Sequence, residues 1–230
     1  MVAQPLPDPA PPRPVTQASP SPSTSPPGLP WVLWAVVLSL ALPELALMGA
    51  ERGLWGSASW RSLALQYGGF WAGLLHGWQP NFAGQPVTMF ATYALLHAGG
   101  THLLGNLLGI LFLGPQAVTR LGSRGFLLLY AGAALGGSAA FGLLATSASP
   151  MVGASGAIFG LAGAATLWDW QRRRAPWRSA GIVAGLVLFN LVTLVTTGGQ
   201  LAWQTHLGGF VAGAALALWL GRRGGQGQAG

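Results

Sequence analysis

The chain has no cysteine and no lysine, and charged residues fill only 7% of its 230 positions. Without cysteine it can form neither disulfides nor a thiolate nucleophile. Soluble globular domains carry about 25% charged residues, so an ordinary water-facing surface is excluded. Acidic residues number four: Asp8, Glu44, Glu51 and Asp169. No HExxH motif is present, and proline is scarce beyond residue 30, because 11 of the 17 prolines fall in the first thirty residues. What is abundant is apolar: 51% of residues are hydrophobic, 36 are glycine and 11 are tryptophan. That composition predicts an all-α membrane protein.

The net charge of +7 does not point to nucleic acid. The arginines sit beside apolar runs, and no basic stretch is interleaved with aromatics as a nucleic-acid surface would require. Residues 1–30 are Pro/Ser-rich and cannot bury enough apolar surface to fold, so a disordered tail is expected there. The tail lacks a basic start followed by an apolar run, so a secretory signal peptide is not expected. Six apolar runs follow, near 31–50, 102–117, 125–145, 155–168, 179–195 and 206–220. A spanning helix needs about 20 mostly apolar residues, so six transmembrane helices are expected within 31–222. The stretch 51–100 is rich in Trp, Gly and Pro. It predicts a long interfacial loop with short helices between the first and second spans. Residues 223–230 read as a flexible C-terminal tail.

Arginine placement sets orientation. Arg13, Arg120, Arg124, Arg172, Arg173, Arg174, Arg178, Arg222 and Arg223 share one side of the expected topology, leaving only Arg52 and Arg61 on the other. The positive-inside bias puts both termini in the cytoplasm. Spans two, four and six then run from outside to inside. At about 1.5 Å rise per residue, Ser155 and Asn106 lie about 21 Å, and His206 about 24 Å, from the inner ends of their spans. His102 lies one turn further out than Asn106. Four polar side chains thus share one layer near the outer face. Polar groups at that depth are costly unless they meet one another or water, so a common hydrated pocket is expected. The pairs Gly156/Gly160 and Gly209/Gly213 are GxxxG spacings, which allow spans four and six to approach closely.

A hydroxyl and an imidazole in one pocket suggest a nucleophile and its base. Ser155 would attack, and His206 would take and return the proton. None of the four acids lies where it could orient His206, so a Ser–His dyad is expected rather than a Ser-His-Asp triad. Asn106, His102 and the backbone N–H of Ser155 are candidate donors to a developing oxyanion. Two other classes stay open at this point. His97, His102 and His206 could supply three ligands to a zinc ion, and an intramembrane histidine could belong to a transporter's proton relay.

The segments "HAGGTHLLGNLLGILFLG" (97–114), "GASGAIFGLAG" (153–163) and "THLGGFVAG" (205–213) resemble the rhomboid family of intramembrane serine proteases. The resemblance covers about residues 31–222. It implies a bundle of six transmembrane helices, Ser155 as nucleophile, His206 as base, and His102 with Asn106 in the oxyanion hole. It implies that Phe159 packs on the catalytic histidine. It implies no cofactor and no metal, and as partners the lipid bilayer and single-span membrane proteins cut near the outer part of their span. An inactive relative that only binds transmembrane helices is the alternative. The loop 196–204, with Leu201 and Trp203, reads as a cap over the site. A Trp-Arg pair common in the family's first loop is missing from the equivalent neighbourhood, 82–99. Arginine without lysine, with abundant Ala and Gly, suggests a GC-rich bacterium and hence the inner membrane.

Overall fold

The structure is a computed structural model that describes residues 29–173, 177, 180–181, 183–188, 190 and 201–226. Among them the chain is helical and has no strand. Helix α1 spans Trp31–Glu51. Two short helices follow, α2 over Trp60–Gly68 and α3 over Gln85–Thr92, with 3₁₀ turns at Ala72–Leu75 and Tyr93–Leu95. Helix α3 carries Pro86 in its first turn, where the missing N–H has no intrahelical partner to lose. The long helical run α4 covers Gly100–Leu144, α5 covers Ser155–Arg173 and α6 covers Trp203–Gln226. The short helices expected in 51–100 are therefore present.

Run α4 is two arms. Its backbone leaves the helix at Gly122 (φ 67°, ψ 175°), a region essentially confined to glycine that costs other residues about 1–3 kcal/mol. Proximities along the arms give their directions. In the first arm, Gly109 lies against Ile158 and the Arg120 guanidinium sits 5.0 Å over the Trp168 ring, so this arm runs with α5. In the second, Gly137 faces Gly156 and Gly132 faces Leu216, so it runs against α5 and α6. Helix α1 opposes the first arm, since Leu33 packs on Gly114 and Met48 on Gly100. The reversal falls between the second and third expected apolar runs, beside Arg120 and Arg124.

The inside of this bundle holds Leu33, Leu40, Ile110, Phe126, Leu129 and Leu161, with small residues where helices cross. The outside is also apolar: Phe112 is 82% exposed and Leu143 81%. An apolar exterior of that kind needs a lipid solvent. This is an integral membrane protein. Among the described residues two helical runs, α1 and α4, are long and apolar enough to cross a membrane by length and composition. Helices α5 and α6 carry glycine, Ser155, Thr205 and His206, which lower their hydropathy. Of the expected fifth span, residues 180–181, 183–188 and 190 are helical, and the rest lies outside the described residues. So do residues 1–28, 191–200 (most of the expected cap) and 227–230. Helix α6 continues to Gln226, four residues into the segment expected as a flexible tail.

Candidate active site

The serine of "GASG" occupies the first position of α5. Two residues earlier, Gly153 takes φ 116°, which glycine adopts without strain. Its N–H donates to the Tyr93 carbonyl at 2.9 Å, and Met151, two residues before it, exchanges two backbone hydrogen bonds of 2.9 Å with Phe70. The 51–100 segment thus braces the strand-like approach to Ser155. Tyr93 in turn donates its hydroxyl to the Ala134 carbonyl in the second arm of α4, at 2.7 Å.

Helix α6 brings the imidazole. His206 Nε2 lies 2.9 Å from Ser155 Oγ, within the range for proton transfer. Glycine makes this possible. A Cβ on Gly209 would stand 2.7 Å from the Gly156 carbonyl carbon, and one on Gly156 would stand 2.8 Å from Thr205 Cγ2. The two helices therefore touch backbone to backbone one residue from the serine, as the GxxxG spacing predicts. Phe159, one turn along α5, stacks on the His206 ring with centroids 4.1 Å apart and planes 3° from parallel. His206 is 6% exposed.

The first arm of α4 closes the other side. His102 Nε2 would lie 2.7 Å, and Asn106 Nδ2 3.8 Å, from a Cβ built on Gly153. Both polar side chains therefore converge on the backbone beside Ser155. The Ala98 N–H donates to His102 Nδ1 at 3.4 Å, which leaves the proton on Nε2, the nitrogen facing the site. Asn106 Nδ2 donates to the His102 carbonyl at 2.9 Å. The first N–H groups of α5 have no intrahelical acceptor and add donors at the positive end of its dipole. Of the three histidines considered as zinc ligands, His206 instead contacts Ser155 and Asn190. Among the described residues no three His, Cys, Asp or Glu side chains are placed to hold a metal ion.

Two contributors were not singled out from the sequence. Asn190 Oδ1 lies 2.6 Å from His206 Nδ1; the only signal was one amide in an otherwise apolar run. Arg61 is the second. Its guanidinium donates to both oxygens of Glu44 (2.9 Å each), to both of Glu51 (2.6 and 2.9 Å) and to the His97 carbonyl (2.9 Å). Glu51, then Glu44, holds this guanidinium above its ordinary range by accepting those bonds. The His97 ring meets the His102 ring edge-on at 5.2 Å, so the clamp ties α1 and α2 to the approach of the site. A Trp-Arg pair therefore exists in the long loop, as Trp60–Arg61, well upstream of 82–99.

A cavity of about 400 Å³ opens beside His206, lined by Phe159, Val187, Asn190, Trp203 and Phe210 among others. Trp203, expected as part of a cap, thus borders the site.

Residues 84–223, well over half of the chain, match the family model described as Rhomboid domain. The chain is 31% identical over 136 residues to the rhomboid protease GlpG of Photorhabdus laumondii, a match covering 56% of this chain and 46% of that protein. It is 35% identical over 133 residues to the rhomboid protease GluP of Bacillus subtilis, covering 55% and 25%. Against the rhomboid protease GlpG of Yersinia pestis it is 26% identical over 195 residues, covering 83% and 62%. It therefore spans between a quarter and about three fifths of the length of these relatives. Helical architecture, the placement of the "GASG" serine against an α6 histidine, and the extent of the family match lead to one conclusion: this chain belongs to the rhomboid family.

Proposed function

We propose that the protein is an intramembrane serine endopeptidase that cleaves single-span membrane proteins in or near the outer part of their transmembrane helix. The observation that carries the reading is the 2.9 Å approach of His206 Nε2 to Ser155 Oγ across two helices. In the proposed reaction Ser155 Oγ attacks the scissile carbonyl carbon while its proton passes to His206 Nε2. The carbonyl oxygen becomes an oxyanion, stabilised by His102 Nε2–H, Asn106 and the backbone N–H of Ser155. Collapse of this intermediate breaks the C–N bond, and His206 returns the proton to the leaving amine. Water then repeats the sequence on the acyl ester and frees Ser155. Phe159 holds the imidazole plane throughout.

The membrane setting belongs to the same proposal. Six spans cross a bilayer, the 51–100 segment lies in the outer interface, and both termini are cytoplasmic in a bacterial inner membrane, with 31–222 as the protease domain. No cofactor or metal is required. A substrate helix has its peptide groups closed in internal hydrogen bonds, so it must unwind locally, and the polar pocket gives the freed groups partners. The test is cleavage of a model single-span substrate in proteoliposomes. Ser155→Ala and His206→Ala should each abolish it while leaving the protein folded. Retained cleavage in either variant overturns the mechanism.

A further inference from the structure

We infer that Asn190 is a positioning residue that fixes the tautomer and the ring plane of His206, so that the site works as a Ser155–His206–Asn190 relay. The inference rests on the serine protease reading above. It begins with the amide's own constraint. Asn190 Nδ2 donates to the Leu186 carbonyl, one turn back in its helix, at 2.8 Å. That bond settles which way the amide faces: a flipped amide would set its oxygen against the Leu186 carbonyl, acceptor to acceptor. Oδ1 must therefore point at His206, where it lies 2.6 Å from Nδ1.

An amide oxygen can only accept, so Nδ1 carries the proton. A neutral imidazole has one N–H, and Nε2 is left with its lone pair directed at Ser155 Oγ, 2.9 Å away. The serine hydroxyl then donates to Nε2, which is the arrangement a general base needs. The opposite tautomer would put an N–H against the hydroxyl and leave no base. When Nε2 takes the serine proton, the cation that forms is still held through Nδ1–H to Oδ1. Phe159 fixes the ring from its face, stacked at 4.1 Å, and Asn190 fixes rotation within its plane. An uncharged amide suits this depth, since an isolated carboxylate within a span is costly.

Purified full-length protein in proteoliposomes tests this with four variants, Asn190→Leu, Asn190→Ala, Asn190→Asp and Ser155→Ala. Substrate cleavage gives kcat and KM, and a fluorophosphonate gives the labelling rate of Ser155. Losing a hydrogen bond to a developing charge should lower kcat by about 10- to 100-fold in both Asn190→Leu and Asn190→Ala, with KM nearly unchanged. Asn190→Asp, held as the neutral acid at this depth, can donate to the Leu186 carbonyl and accept from Nδ1–H, and should recover most of the lost kcat and labelling. Wild-type kcat in Asn190→Leu or Asn190→Ala overturns the inference. So does equal loss in Asn190→Asp, or a rise in KM alone, since each marks a merely structural role. A wild-type protein that neither cleaves nor labels overturns instead the protease reading, and the relay with it.

Discussion

Removing Arg61 should destabilise the packing of α2 against α1. Glu44 is completely buried in α1, and its two oxygens accept from Arg61 Nη1 and Nη2 at 2.9 Å each. The Arg61 side chain is itself only 16% exposed. Breaking a buried ion pair by deleting one partner costs about 3–5 kcal/mol, because the other charge stays buried and uncompensated. At about 2–4 °C per kcal/mol for a chain of this size, Arg61→Leu should lower the thermal midpoint by roughly 6–20 °C. Tryptophan fluorescence in detergent reads this directly. The cost lies in the stranded Glu44 charge, so adding Glu44→Gln to Arg61→Leu should restore much of the midpoint. Glu51→Gln alone should do little, since its half of the clamp is open to solvent, with a side chain 40% exposed. Melting of Arg61→Leu within about 2 °C of wild type, or of the double variant as low as the single one, would show that no buried charge is stranded.

Three further outcomes follow from the same geometry. Gly153→Ala should cut kcat by about 10²-fold or more, because the added Cβ at φ 116° would stand 2.7 Å from His102 Nε2; steady-state kinetics on a single-span substrate measures it. Gly209→Ala should abolish fluorophosphonate labelling of Ser155, since its Cβ would drive α6 off the Gly156 backbone; Gly105→Ala, which meets nothing within 4 Å, should label at the wild-type rate. Phe159→Leu should slow turnover in steady-state kinetics, because it removes the ring stacked on the His206 imidazole, with a stability cost from the lost stacking of about 1 kcal/mol.

The candidate site was largely legible because the membrane makes polar residues conspicuous. Ser155, His206, His102 and Asn106 stood out as polar groups at one depth, and the structure gathers them around Gly153 and the α5 N-terminus. The glycine pairs announced the α5–α6 contact for a similar reason, since only small residues let two backbones meet. Asn190 escaped notice because a single amide within an apolar run is equally consistent with ordinary packing. Its meaning comes from His206, 16 residues away in the chain and on another helix. The Arg61 clamp was hidden in the same way. Glu44 has no partner within its own apolar run; the guanidinium it accepts from lies 17 residues on, in a short helix whose docking no local pattern specifies. The family's Trp-Arg pair is expected near 82–99, whereas Trp60–Arg61 lies upstream in α2, which places the guanidinium against α1.

If the histidine of α6 activates the Ser155 hydroxyl, membrane-embedded protein treated with a fluorophosphonate should show by mass spectrometry a single covalent adduct on Ser155, absent from Ser155→Ala and strongly reduced in His206→Ala. An unmodified Ser155 in the wild-type protein, or an adduct that forms as fast in His206→Ala, rules that activation out.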